Sequence, residues 1–104
     1  MNEAGLKVAI AGQIRVGAHG WKGLHDDGLD IDAMRASIVA HGAIIEEYPN
    51  GERGPSALVL SLLPDSSPVH SVWAWRDLAN EPCLIMVYRP KASSWSPDFR
   101  TRRA

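Results

Sequence analysis

The second half of the chain consists of apolar runs separated by short linkers, and this spacing limits the folds that it can adopt. The runs are rich in Ile, Val, Leu, Tyr and Trp, which favour β-strands. They cover residues 43–48, 56–63, 69–76 and 83–89. The linkers PNGERGP, PDSSP and LANEP are dense in turn-forming residues. Because a parallel crossover needs about a dozen residues or more, these linkers require antiparallel neighbours. The sequence therefore predicts a four-stranded antiparallel meander.

Helical patterns occupy the first half of the chain. The clearest covers residues 31–41, where Asp30 can cap the first turn and Gly42 follows the last residue. Its apolar stripe consists of Ile31, Met34, Ile38 and Val39. Shorter helices are predicted at about residues 2–11 and 19–27. Together, the helical and strand patterns predict one α+β domain, residues 1–104, in which N-terminal helices pack on the meander.

Composition and charge exclude several classes of protein. The 104 residues are 45% hydrophobic and 22% charged, which is typical of a globular domain rather than a disordered chain. With a net charge of −1, no overall field attracts the chain to nucleic acid or to a membrane, so a polyanion would need a local basic patch.

The lone Cys83 cannot form an internal disulfide. The first residues resemble neither a signal peptide nor a membrane span, and we expect a cytoplasmic protein.

Charge is segregated along the sequence. Residues 26–52 contain seven acids and one base, whereas residues 90–104 contain four bases and the single acid Asp98. This basic tail also carries Trp95 and Phe99. It is either a solvated terminus or part of a phosphate-binding surface. Trp95 could stack on a base, although pinning the tail to the sheet is the more common role for such a residue.

Two histidines are candidates for acid–base chemistry. His19 stands where an extended segment meets a helix start, a position that attracts anions. It is either a general acid or base or a capping side chain. His70 and Arg76 share one face of the third predicted strand by the two-residue period. They either line a concave sheet surface or lie at its rim.

The fourth predicted strand ends in Tyr88 and Arg89. Neighbours on a strand point to opposite faces, so these two can line one site only if the strand twists or bulges. Tyr88 shares the face of Leu84 and Met86 and is either a site residue or part of the core. Arg89 is a candidate phosphate clamp because guanidinium groups match phosphate geometry.

No metal site or cofactor is predicted. The four histidines are not at ligand spacing with Cys83 or the acids. The chain has neither a Walker loop nor a GxGxxG motif after a strand.

The order of several motifs resembles the domain of unknown function 4258 family. The motifs are His19-Gly20, Gly28-Leu29-Asp30, GAIIEEYPNGERGPSALVL, VHSVWAW and LIMVYRPKASSWSPDFRTRR. That family is grouped with the barnase–EndoU–colicin–RelE fold of small, metal-independent ribonuclease toxins. The resemblance implies helices on one face of a four-stranded antiparallel sheet and a substrate groove on the other.

The resemblance also assigns roles. It matches His19 and His70 to two histidines of the family and Tyr88 to the tyrosine of its VYxP motif. These three are therefore our candidate catalytic residues, and Lys22, Arg76 and Arg89 become candidate substrate-binding residues. The family usually carries arginines at two further positions, where this chain has Gly23 and Asp27. Lys22 could substitute for the first of these arginines.

The resemblance implies a ribonuclease toxin that cleaves RNA by attack of the RNA 2′-hydroxyl group. It also implies an antitoxin that covers the cleft. A second hypothesis is a non-catalytic protein-binding module that keeps the fold. A third, a DNA-binding helix-turn-helix in residues 20–41, is weaker, because that segment lacks a basic face.

Overall fold

The computed structural model describes residues 1–51, 54–76 and 81–104. Within these residues the chain forms three helices and five strands. In chain order they are α1 (Glu3–Ala11), β1 (Arg15–Val16), α2 (Ala18–Asp26), α3 (Ile31–His41), β2 (Ala43–Tyr48), β3 (Ser56–Leu62), β4 (Pro68–Ala74) and β5 (Cys83–Tyr88). The predicted turn segments at residues 49–55 and 78–82 lie partly outside the described residues.

The strands form a single mixed sheet in the order β1-β5-β4-β3-β2. Strands β2 to β5 pair antiparallel with their neighbours, whereas β1 pairs parallel with β5. The predicted α+β class is confirmed, but the sheet has five described strands and is mixed, not four-stranded and antiparallel. The added strand is two residues long, and its bonds to β5 include Gly17 N–H donating to the Leu84 carbonyl. So short a strand forms only because β5 offers it a free edge.

The hydrophobic core lies between α1, α3 and one face of the sheet, which we call the helix face. Ile10, Met34 and Ile38 are fully buried against Val59 and Trp73 of the sheet. Asp30 caps α3 as predicted, since its Oδ1 accepts the backbone N–H of Asp32 at 3.3 Å. The apolar stripe of α3 thus supplies one side of the core, except that Val39 is exposed.

Helix α2 packs directly against the backbone of β5, and glycine makes this approach possible. A Cβ atom at Gly20 would lie 2.6 Å from the Leu84 carbonyl oxygen. At Gly23 a Cβ atom would overlap the Val87 carbonyl oxygen. A side chain at either position would therefore force helix and strand apart.

A β-bulge in β5 decides which residues share a face. Met86 pairs with Val72, whereas Leu84 pairs with Trp73, so Ile85 is the extra residue of β5. The prediction that Tyr88 shares a face with Leu84 is therefore wrong. Leu84 belongs to the core on the helix face.

The opposite face of the sheet carries a row formed by Leu60, His70 and Tyr88, and a second row that includes Leu58 and Val72. We call it the tail face, because residues 90–104 (the tail) contact it. Trp95 is only 3% exposed and packs on the His70 ring. The interpretation of Trp95 as the anchor of the tail is confirmed.

Within the described residues, no helix has the length and apolar character needed to cross a membrane.

Candidate functional site

His70 occupies the centre of the tail face and is 0% exposed. Its Nε2 lies 2.8 Å from the Phe99 carbonyl oxygen, and its Nδ1 lies 3.1 Å from the Tyr88 hydroxyl oxygen. A carbonyl oxygen only accepts, so Nε2 must carry a hydrogen. In the neutral ring, Nδ1 then accepts from the Tyr88 hydroxyl group. The two contacts together fix the tautomer of His70.

Aromatic rings surround the imidazole. The Tyr88 ring lies 5.3 Å from it and the Trp95 ring 4.3 Å, both edge-to-face. Burial lowers the pKa of His70, and the hydrogen bond to Phe99 only partly opposes this effect. Burial likewise raises the pKa of Tyr88. Near neutral pH the pair is therefore uncharged while the tail covers it.

An ion pair joins the tail to β2 beside His70. Arg102 donates to both carboxylate oxygens of Glu46, at 2.9 and 3.1 Å, and its guanidinium group lies 4.7 Å from the centre of the Trp95 ring. The Tyr48 hydroxyl also donates to Glu46. The hydrogen bond from Arg102 lowers the pKa of Glu46.

The sequence analysis did not predict the Glu46–Arg102 pair. The segregation of acids and bases along the chain was the available signal. It could not select these partners, which are 56 residues apart.

His19 lies on the exposed surface of α2, and the helical period shows which way it faces. His19 and Lys22 share one flank of α2, while Trp21 and His25 share the other. The flank with Trp21 and His25 lines a cavity together with the start of α3. The flank with His19 is the one that does not line this cavity, and His19 is exposed.

Two of the predicted phosphate-binding residues are paired with acids. Lys22 forms an ion pair with Asp26, and this hydrogen bond raises the pKa of Lys22. The backbone N–H of Arg89 donates to the Asp27 carboxylate at 2.8 Å, and its Nε donates to the Asp27 carbonyl oxygen at 3.0 Å. A third bond runs from the Arg89 guanidinium group to the Ser67 hydroxyl oxygen at 3.3 Å. Arg89 directly follows β5, and Lys22 lies on α2, the helix that packs on that strand.

Arg76 lies at the other end of β4 from His70. Six residues of extended chain separate them by about 20 Å. Arg76 lines a cavity together with Met1 and Trp75, next to Gly54. The structure therefore brings His70 and Tyr88 into contact, places Arg89 at the end of the same strand as Tyr88, and leaves Arg76 apart.

No cluster of three or more His, Cys, Asp or Glu side chains suited to a metal ion occurs within residues 1–51, 54–76 and 81–104.

The model of one protein family, described as a domain of unknown function (DUF4258), matches residues 18–89, which is more than half of the chain. The chain belongs to this family. The DUF4258 match begins with α2 and ends just after β5, so it contains His19, His70 and Tyr88. It leaves α1, β1 and the tail outside. No curated protein and no solved structure matches the chain significantly.

The structure gives structural roles to Gly23 and Asp27, the two positions at which the resemblance implied arginine. Gly23 packs so closely on the Val87 backbone that an arginine there would push α2 away from β5. The Asp27 carboxylate accepts the Arg89 N–H and so joins the end of α2 to the end of β5. Both positions thus have a structural role in this chain.

Proposed function

We propose that the chain is a metal-independent endoribonuclease with the RelE- and barnase-like fold that its resemblance implies. The observation that supports it most is the hydrogen-bonded pair of His70 and Tyr88. The proposal adds to this pair the exposed His19 and Lys22 of α2. These side chains offer groups that transfer protons and a cation that binds phosphate. His70 and Tyr88 lie on the tail face of the sheet, where a long polyanion could be accommodated.

The reaction would begin with attack of the RNA 2′-oxygen on the adjacent phosphorus atom. His19 accepts the 2′-hydroxyl proton as general base, and the bond from phosphorus to the 5′-oxygen breaks. His70 then donates a proton to that oxygen. The products are a 2′,3′-cyclic phosphate and a 5′-hydroxyl end. Lys22 and Arg89 stabilise the charge of the pentacoordinate phosphate.

His70 acts in this reaction as an imidazolium ion, a form that it takes once the tail no longer buries it. Its Nδ1–H then donates to the Tyr88 oxygen, and its Nε2–H points to the position that the Phe99 carbonyl oxygen now occupies. Tyr88 is a positioning residue, because it holds the ring without touching the reacting atoms. The phosphodiester must take the place of Phe99 for the proton to be transferred.

A matched pair of histidine variants tests this proposal. His19 and His25 are both exposed histidines of α2, but they lie on opposite flanks. We expect His19→Ala to slow cleavage of a fluorescent single-stranded RNA by about 100-fold or more, whereas His25→Ala leaves the rate unchanged. His70→Gln should abolish cleavage, and mass spectrometry should detect 2′,3′-cyclic phosphate ends. Equal rates for all variants, or no cleavage by any of them, contradict the proposal.

We further propose that the ribonuclease is the toxin of a toxin–antitoxin pair acting on cytoplasmic RNA. Its partner would then be an antitoxin protein that covers the tail face. Expression of the wild type alone should arrest growth, and His19→Ala should relieve the arrest. If wild type and His19→Ala affect growth equally, the toxin proposal is wrong.

Two observations favour a second candidate, a non-catalytic protein-binding module. His70 is fully buried with both ring nitrogens bonded. Gly23 and Asp27 have structural roles at positions where the resemblance implied arginine. A module of this kind would bind its partner equally well with His19→Ala. It would leave RNA intact.

A further inference from the structure

The tail occupies the position where the proposed reaction needs substrate. The Phe99 carbonyl oxygen accepts the His70 Nε2–H at 2.8 Å, and the Trp95 ring packs edge-to-face on the same imidazole at 4.3 Å. These contacts leave His70 0% exposed. While they persist, no phosphodiester reaches Nε2.

We propose that the tail is an autoinhibitory strap, closed by the Glu46–Arg102 ion pair, that RNA must displace to reach His70. The proposal rests on the proposed ribonuclease function and adds a form of regulation to it. The strap places a peptide carbonyl oxygen on the same nitrogen that would face the leaving group. It thus competes directly with the phosphodiester.

The tail is folded on itself, so that it can leave the sheet as one unit. Trp95 and Arg102 form a β-bridge, the Arg103 N–H donates to the Ser94 carbonyl oxygen at 3.0 Å, and the Ser96 N–H donates to the Thr101 carbonyl oxygen at 2.7 Å. These bonds all lie within the tail. Opening the strap therefore does not require them to break.

The ion pair that closes the strap is accessible to solvent. The Arg102 side chain is 62% exposed and that of Glu46 24%, so water and salt compete with this ion pair. Phe99 has φ +60°, an uncommon conformation for a residue other than glycine. Its hydrogen bond to His70 compensates for this strain in the closed strap. An RNA phosphate can replace the carbonyl group at His70.

Reversing the charge of the ion-pair partners tests the strap proposal while the tail stays part of the chain. Arg102→Glu places two carboxylates together and should open the tail, and the double variant Glu46→Arg/Arg102→Glu should close it again. Arg103→Glu is the matched control, since it changes the net charge equally, while the Arg103 guanidinium group donates to a carbonyl oxygen of the tail itself, that of Ala92. Hydrogen exchange of residues 94–103, measured by mass spectrometry, reports whether the strap is open.

If the tail is an autoinhibitory strap, residues 94–103 of Arg102→Glu should exchange hydrogen faster than those of the wild type. This variant should also cleave single-stranded RNA about fivefold to tenfold faster. The double variant should return both values to those of the wild type. Arg103→Glu should change neither by a comparable amount. If Arg102→Glu opens the tail but cleavage stays at the wild-type rate, the strap is refuted and the ribonuclease survives.

A separate RNA-binding measurement distinguishes failure of the ribonuclease proposal from failure of the strap proposal. If no variant cleaves RNA, the ribonuclease proposal fails, and anisotropy of a labelled RNA decides on the strap. Tighter binding by Arg102→Glu than by Arg103→Glu and wild type would support displacement of the tail by RNA. Equal or weaker binding would overturn it.

Discussion

The substitution Gly20→Ala should destabilise the protein although it removes a glycine from a helix. A Cβ atom at position 20 would lie 2.6 Å from the Leu84 carbonyl oxygen, about 0.8 Å short of the 3.4 Å at which ordinary contact begins. That oxygen belongs to the backbone of β5 and accepts the Gly17 N–H at 3.0 Å. It cannot move without disturbing the strand, so α2 has to shift instead.

The expected magnitude is a balance of two terms. Replacing glycine by alanine inside a helix normally stabilises it by about 0.5–1 kcal/mol. Overpacking of a close interface costs about 1–3 kcal/mol. The shift would also loosen the contact between α2 and β5, in which Gly23 approaches Val87. We therefore expect a net loss of about 1–2 kcal/mol in the free energy of unfolding.

Urea denaturation followed by circular dichroism measures this difference. Gly12→Ala is the matched control, because a Cβ atom there would lie at an ordinary 3.5 Å from the Ala9 carbonyl oxygen. The control should keep its unfolding midpoint, and Gly20→Ala should unfold at lower urea with an unchanged slope. A Gly20→Ala variant as stable as wild type would refute the close packing of α2 on β5.

Two further predictions concern buried polar groups. The pKa of His70 is lower in the folded protein than its usual value of about 6.5. Between the folded and the usual pKa, the unfolded chain therefore binds more protons than the folded protein. The free energy of unfolding should fall as the pH decreases through this range. His70→Gln should flatten this dependence in urea titrations at pH 5–7.5, and an equal slope in both proteins would contradict the assignment. Ser61→Ala should raise the free energy of unfolding by about 1 kcal/mol, because within the described residues the buried Ser61 hydroxyl has no hydrogen-bond partner. The control Ser71→Ala removes the hydroxyl oxygen that accepts the Trp73 Nε1–H at 2.9 Å. This variant should lower the free energy of unfolding by a similar amount.

Features encoded by neighbouring residues could be predicted from the sequence. The pattern from Asp30 to Gly42 indicated a helix at residues 31–41, and α3 occupies Ile31–His41. The alternation on the third predicted strand placed Trp73 and Trp75 on the face opposite His70, and both tryptophans are buried in the core. The DUF4258 resemblance, drawn from the motifs, agrees with the family match.

The candidate site could be predicted only in part. His70 and Tyr88 were both named, but their hydrogen bond depends on the bulge at Ile85, which moves Tyr88 to the face of His70. A bulge of one residue leaves no mark on the apolar pattern of so short a strand. The ion pair of Glu46 and Arg102 depends on the path of the tail across the sheet.

The sequence by itself determined where helices and strands form, because caps, turn residues and apolar periodicity act between near neighbours. Only the tertiary structure decided that β1 joins the edge of β5 and that the tail covers His70. Those outcomes depend on burial and hydrogen bonding between segments far apart in the chain. These interactions contribute to stability only once the sheet has formed and brought the segments together.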